Sequence, residues 1–94
     1  MELESVVARN NELLSAPVDR EIVFLNTGID SYVALDEIGR RIWDLLERPR
    51  PIAELVSELE LEYSGSSETI ASDVIAFLEE LEDDEMVRII GNAD

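Results

Sequence analysis

At 94 residues the chain is long enough for one domain. Its hydrophobic fraction of 46% suits a folded chain, and its formal net charge of -16 repels nucleic-acid phosphates and anionic membrane surfaces. Histidine, cysteine and lysine are all absent, which removes the common general base near neutral pH, the thiol nucleophile, the usual zinc ligands and the Schiff-base amine.

Residues 1–12 read as a loose lead-in, with Val6-Val7-Ala8 able to pair as a short strand. Leu13 to Val18 is apolar and carries Pro17 near its end, which predicts an edge strand. Asp19-Arg20 turns the chain into a second strand, Glu21 to Leu25, rich in β-branched and aromatic residues. Asn26-Thr27-Gly28-Ile29-Asp30 is a compact hairpin turn, and Ser31 to Leu35 is the returning strand.

The remainder reads as helical. Asp36 caps a helix running to about Glu47, with Ile38, Ile42, Leu45 and Leu46 on its buried face and Trp43 beside them. Gly39 weakens that helix and leaves room for close packing against the sheet. Pro49 and Pro51 mark the break, and Pro51 suits the first turn of a second helix. Ile52, Leu55, Val56 and Leu59 form the buried stripe of that helix, which ends near Tyr63. After a Ser64-Gly65-Ser66-Ser67 loop, a third helix spans about Glu68 to Asp83 with Ile70, Val74, Phe77, Leu78 and Leu81 on one side. Met86 to Ile90 is a short apolar end, a strand or an extended tail, and residues 91–94 are a tail. Strands followed by three helices make an α+β domain over residues 13–90.

Tyr32-Val33-Ala34-Leu35-Asp36, Gly39 and Ile42-Trp43-Asp44-Leu45-Leu46 resemble the strand-to-helix segment of the PqqD family. Asp73-Val74-Ile75-Ala76-Phe77-Leu78, Leu81 and Met86-Val87 are similar to that family's third helix and tail, so the likeness runs over residues 13 to 90. Pro51 departs from it, because relatives often place a small hydroxyl residue there as a helix cap. The resemblance implies a winged helix-turn-helix-like frame, a three-stranded antiparallel sheet followed by three helices. It also implies a recognition element that binds the leader segment of a ribosomally made precursor peptide. The leader adds as a strand beside the third strand, lies against the third helix, and is presented to a separate modifying enzyme such as a leader peptidase. A free-standing chain of this length is similar to the discrete form found in lasso peptide pathways.

On that resemblance the peptide meets Ser31, Tyr32, Val33, Ala34 and Leu35, whose apolar edge carries no lysine or proline to protect it. On the third helix it meets Ile70, Asp73, Val74, Phe77, Glu80 and Leu81. Asp73, Phe77 and Glu80 share one flank at three- to four-residue spacing, an apolar floor with an acidic rim. The seven residues from Glu79 to Glu85 hold six carboxylates without the alternation or central glycine of a calcium loop, so they read as a solvated face.

No catalytic residue, metal ligand or cofactor site is expected. Cysteine-free composition, an acidic start without an apolar core, and the lack of a spanning apolar run point to a cytoplasmic chain without membrane or nucleic-acid partners. An acidic adaptor or inhibitor docking on a basic protein is the alternative. A phosphopantetheine carrier is a third, since Asp30-Ser31-Tyr32 resembles its attachment site, but Ser31 opens a strand-like run rather than a helix. DNA binding is disfavoured by a third helix that holds Glu68, Asp73, Glu79 and Glu80 and no cation. The seven arginines are expected to form local ion pairs with the many carboxylates.

Overall fold

Two small antiparallel sheets accompany three helices, and one of the sheets joins both ends of the chain with a short mid-chain strand. The structure, a computed structural model, describes residues 1–10, 13–19, 21–26 and 31–92, with the side chains of residues 14–15, 25–26 and 31–33 outside that description. In chain order the elements are β1 (Ser5–Arg9), β2 (Leu14–Val18), β3 (Glu21–Asn26), β4 (Ser31–Leu35), α1 (Glu37–Leu45), β5 (Arg50–Pro51), α2 (Ile52–Glu62), α3 (Ser67–Asp83) and β6 (Val87–Asn92). The predicted turns fall partly outside the described residues, at Arg20 and at residues 27–30.

The α+β arrangement holds, with the expected sheet in the order β2-β3-β4. Val18 pairs with Glu21 and Leu14 with Leu25, while Ile22 pairs with Leu35 and Asn26 with Ser31. Pro17 sits in the outer strand β2, where a missing backbone donor is tolerated. Asp19 takes a positive φ of 55°, a conformation that Asp reaches more readily than bulkier residues.

Val6-Val7-Ala8 pairs as a strand, as the sequence allows, but the segment around it is held in a sheet rather than forming a loose lead-in. β1 is the central strand of a second sheet, β5-β1-β6, pairing with β5 through Val6–Pro51 and with β6 through Arg9–Val87. Val7 is fully buried there, so burial and two-sided pairing fix the segment. The N-terminus is tied further by the Leu3 carbonyl, which accepts from the Ala53 N–H at 2.9 Å. This bond does the work of the missing side-chain cap at Pro51, the N-cap residue of α2.

α1 starts as the sequence implies: the Asp36 carboxylate accepts from the Gly39 N–H at 2.8 Å. Ile42, Trp43, Leu45 and Leu46 are buried, but Ile38 is 49% exposed rather than part of the core. The Trp43 ring meets Phe24 of β3 edge-on at 4.6 Å, and the Arg9 guanidinium lies over it at 5.4 Å. Arg9 also donates to the Trp43 carbonyl, and Arg40 to the carbonyls of Asp19 and Glu21. These two arginines therefore bind backbone, whereas Arg41 fits the expected ion pairing, with its Nε 2.9 Å from Glu62.

Ile52, Leu55, Val56 and Leu59 of α2 are buried as expected, as are Val74, Leu78 and Leu81 of α3. Ser66 caps α3 by accepting from the Thr69 N–H. At the other end Glu85 has φ 59°, Met86 N–H bonds the Leu81 carbonyl at 2.9 Å, and Glu85 N–H bonds the Glu82 carbonyl at 3.0 Å. This is a Schellman closure, and Leu81 and Met86, the pair that such a closure brings together, are both buried. It turns the chain directly into β6, so the apolar C-terminal end is a strand of the second sheet.

Candidate binding groove

β4 is an edge strand: β3 pairs with one side of it, and among the described residues no strand pairs with the other. Ser31, Tyr32 and Val33 are placed here by backbone alone. Ala34 is exposed and Leu35 is buried at 3% exposure, so the strand end alternates between solvent and core. Its next residue, Asp36, is both the cap of α1 and the first wall of a groove.

That groove has a volume of about 320 Å³. One wall is the first half of α1, with Asp36, Ile38, Gly39 and Ile42. The end of α2 contributes Leu59, Tyr63 and Ser64, and the opposite wall is α3 with Ile70, Asp73, Val74 and Phe77. The lining is mostly apolar, with the carboxylates of Asp36 and Asp73 among it. The exposure of Ile38 follows from its position in this groove, where the described residues do not cover it.

Gly39 sets the distance between α1 and α3. A Cβ at this position would lie 3.1 Å from Phe77 Cζ and 3.2 Å from Cε1. Its close approach is therefore to an α3 ring, not to the sheet as the sequence suggests. Arg41 ties the α1 wall to the end of α2, donating from Nε to both Glu62 oxygens at 2.9 and 3.0 Å. The hydrogen bond that Arg41 donates to Glu62 is the main reason its guanidinium is held above its ordinary pKa.

Of the α3 residues named from sequence, Ile70, Asp73, Val74 and Phe77 line the groove. Glu80 is exposed one turn beyond it, and Leu81 is buried in the core at 3% exposure, where it supports α3 rather than facing the groove. Sequence reasoning missed the α1 and α2 walls. The available signal was Gly39 inside a helix, directly after Ile38 and on the face that turns toward α3. Among the described residues no group of three or more acidic side chains is arranged to hold a metal ion, and no helix is long and apolar enough to cross a membrane.

The family profile described as "Coenzyme PQQ synthesis protein D (PqqD)" matches residues 21–87. A solved structure described as "TbiB1 in Complex with the TbiA(beta) Leader Peptide" is similar at 34% sequence identity and a TM-score of 0.76, covering 93% of this chain and 99% of that one. A comparison with curated proteins found no match.

Proposed function

The chain belongs to the PqqD family, and from that premise we propose that it binds the leader segment of a ribosomally made precursor peptide and presents it to a separate modifying enzyme, a leader peptidase of a lasso-type pathway. The observation that carries this reading is the free edge of β4 running into an apolar groove through a single residue, Asp36. A leader adding as a strand beside β4 gains backbone hydrogen bonds along Ser31 to Leu35, and alternate side chains drop toward the groove. The leader complex of the similar solved structure supports the same reading.

Magnitudes divide the work between edge and groove. One or two apolar side chains filling the groove contribute about 2–6 kcal/mol. A micromolar complex needs roughly 8 kcal/mol net of ordering costs. Pairing along β4 therefore has to supply a substantial part. The net charge of -16 acts on encounter rate and on the choice of basic leaders more than on the bound state. The chain supplies binding and presentation, with no chemistry of its own, in the cytoplasm where precursor peptides are made.

Fluorescence titration with short leader segments encoded beside the gene tests the proposal. Saturable binding that survives moderate salt is the expected result. Binding that vanishes at moderate salt, or that is seen only with basic proteins, favours the acidic-adaptor alternative. Turnover of a precursor by the purified chain alone would overturn the non-catalytic part.

A further inference from the structure

The β5-β1-β6 sheet ends in an outer strand, β6, that has no partner among the described residues on its far side. Five of its six residues, Arg88 to Asn92, are exposed. Ile89 and Ile90 are 40% and 50% exposed although they are neighbours in a strand, where one of the two would ordinarily face inward. The register explains this. Val7 pairs with Ile89 and Val6 with Gly91, so Ile90 is the extra residue of a bulge. A bulge re-aims a side chain and bends the strand. A Cβ at the following residue, Gly91, would meet nothing within 4 Å among the described residues, so that side of the strand is open as well.

We propose that this face of β6 is a docking surface for a basic protein, with Ile89 and Ile90 as its apolar anchors. Charge names the partner. Glu82, Asp83 and Glu85 are exposed just before the strand and outnumber Arg88, the one cation of β6, and the chain as a whole carries -16. Glu85 and Ile90 are at most about 17 Å apart along an extended chain, well within one protein interface of standard size. A second copy of this chain is disfavoured as occupant on two grounds. It brings the same negative charge, and a bulged edge is a poor template for edge-to-edge pairing. On the proposed function the leader pairs with the edge of the other sheet, so the two partners do not compete for one strand edge. On the proposed function that partner is the modifying enzyme, which must then be basic where it meets this face, and its identity rests on that reading.

The test uses the full chain, a labelled leader peptide and the purified leader peptidase encoded with the precursor. The double variant Ile89→Ser, Ile90→Ser is compared with the parent after Trp43 fluorescence shows that both are folded. Leader affinity should stay within twofold, while affinity for the peptidase falls at least tenfold and leader cleavage falls with it. Glu82→Gln with Glu85→Gln should slow peptidase association and flatten its salt dependence. Ile89→Ala, Ile90→Ala serves as the milder variant if the serine pair does not fold. Unchanged peptidase binding in a folded variant overturns the docking surface. So does a parent that sediments as a dimer and a variant that sediments as a monomer, because the occupant is then a second copy. Failure of leader binding in the parent itself counts against the leader reading instead.

Discussion

Gly39→Ala separates the groove from the fold. The added Cβ would sit 3.1 and 3.2 Å from two atoms of the Phe77 ring and 3.3 Å from Asp36 Oδ1, so something must yield by a few tenths of an ångström. The ring is the part that can move, because Phe77 is half-buried and borders the groove. Overpacking of this kind costs about 1–3 kcal/mol. Replacing this first-turn helical glycine by alanine returns about 1 kcal/mol. The net loss is then roughly 0–2 kcal/mol, and each 1 kcal/mol lowers the melting temperature by about 4–8 °C in a domain of this size. The displaced ring occupies space meant for a leader side chain, whose burial is worth about 1.5–3 kcal/mol, or roughly ten- to a hundredfold in affinity. Trp43, buried at 6% exposure, reports unfolding, and anisotropy of a labelled leader reports binding. A folded variant that binds the leader as tightly as the parent would refute the assignment of this groove.

Other substitutions probe neighbouring parts of the account. Phe77→Ala should weaken leader binding more than Glu80→Gln, since Phe77 lines the groove and Glu80 lies beyond it; equal effects in folded protein would contradict this. Asp36→Ala removes the 2.8 Å bond to the Gly39 N–H and should cost about 0.5–2 kcal/mol in urea unfolding, whereas Asp36→Asn should retain most of the stability. Glu85→Gly should raise stability by about 1 kcal/mol, because Glu85 holds the left-handed position of the Schellman closure that glycine occupies without a Cβ penalty. A destabilised Glu85→Gly variant would mean that the Glu85 side chain makes a contact worth more than the backbone strain.

Local pattern reached most of the fold. β-branched runs at Glu21–Leu25 and Ser31–Leu35, the Asp36 and Ser66 caps, and the stripes of α2 and α3 are all set by residues close in sequence. The strand at Val6–Ala8 is legible, but its central place in a sheet is not, because its partners are Arg50–Pro51 and Val87–Asn92, far along the chain, and three apolar residues carry little periodic signal. Periodicity also put Ile38 on the buried side of α1, where it belongs by angle. What it does not say is whether anything covers that side, and at Ile38 the covering element is replaced by the groove. The same limit applies to α3: Phe77 and Leu81 share a stripe in sequence, yet one borders the groove and the other is core. The closeness of Gly39 to Phe77 depends on how α1 and α3 approach each other, a tertiary distance that neither helix encodes alone.

The measurement that bears most directly on the central claim is amide hydrogen exchange, residue by residue, with and without a saturating leader peptide. Strand addition beside β4 places alternate amides of residues 31–35 in new hydrogen bonds. Those amides should slow at least tenfold, with resonances of Ile70, Asp73 and Phe77 shifting in the same titration and β6 amides unchanged. Protection that appears along β6, or only around Glu79 to Glu85, while residues 31–35 exchange as before, would contradict leader binding at the β4 edge.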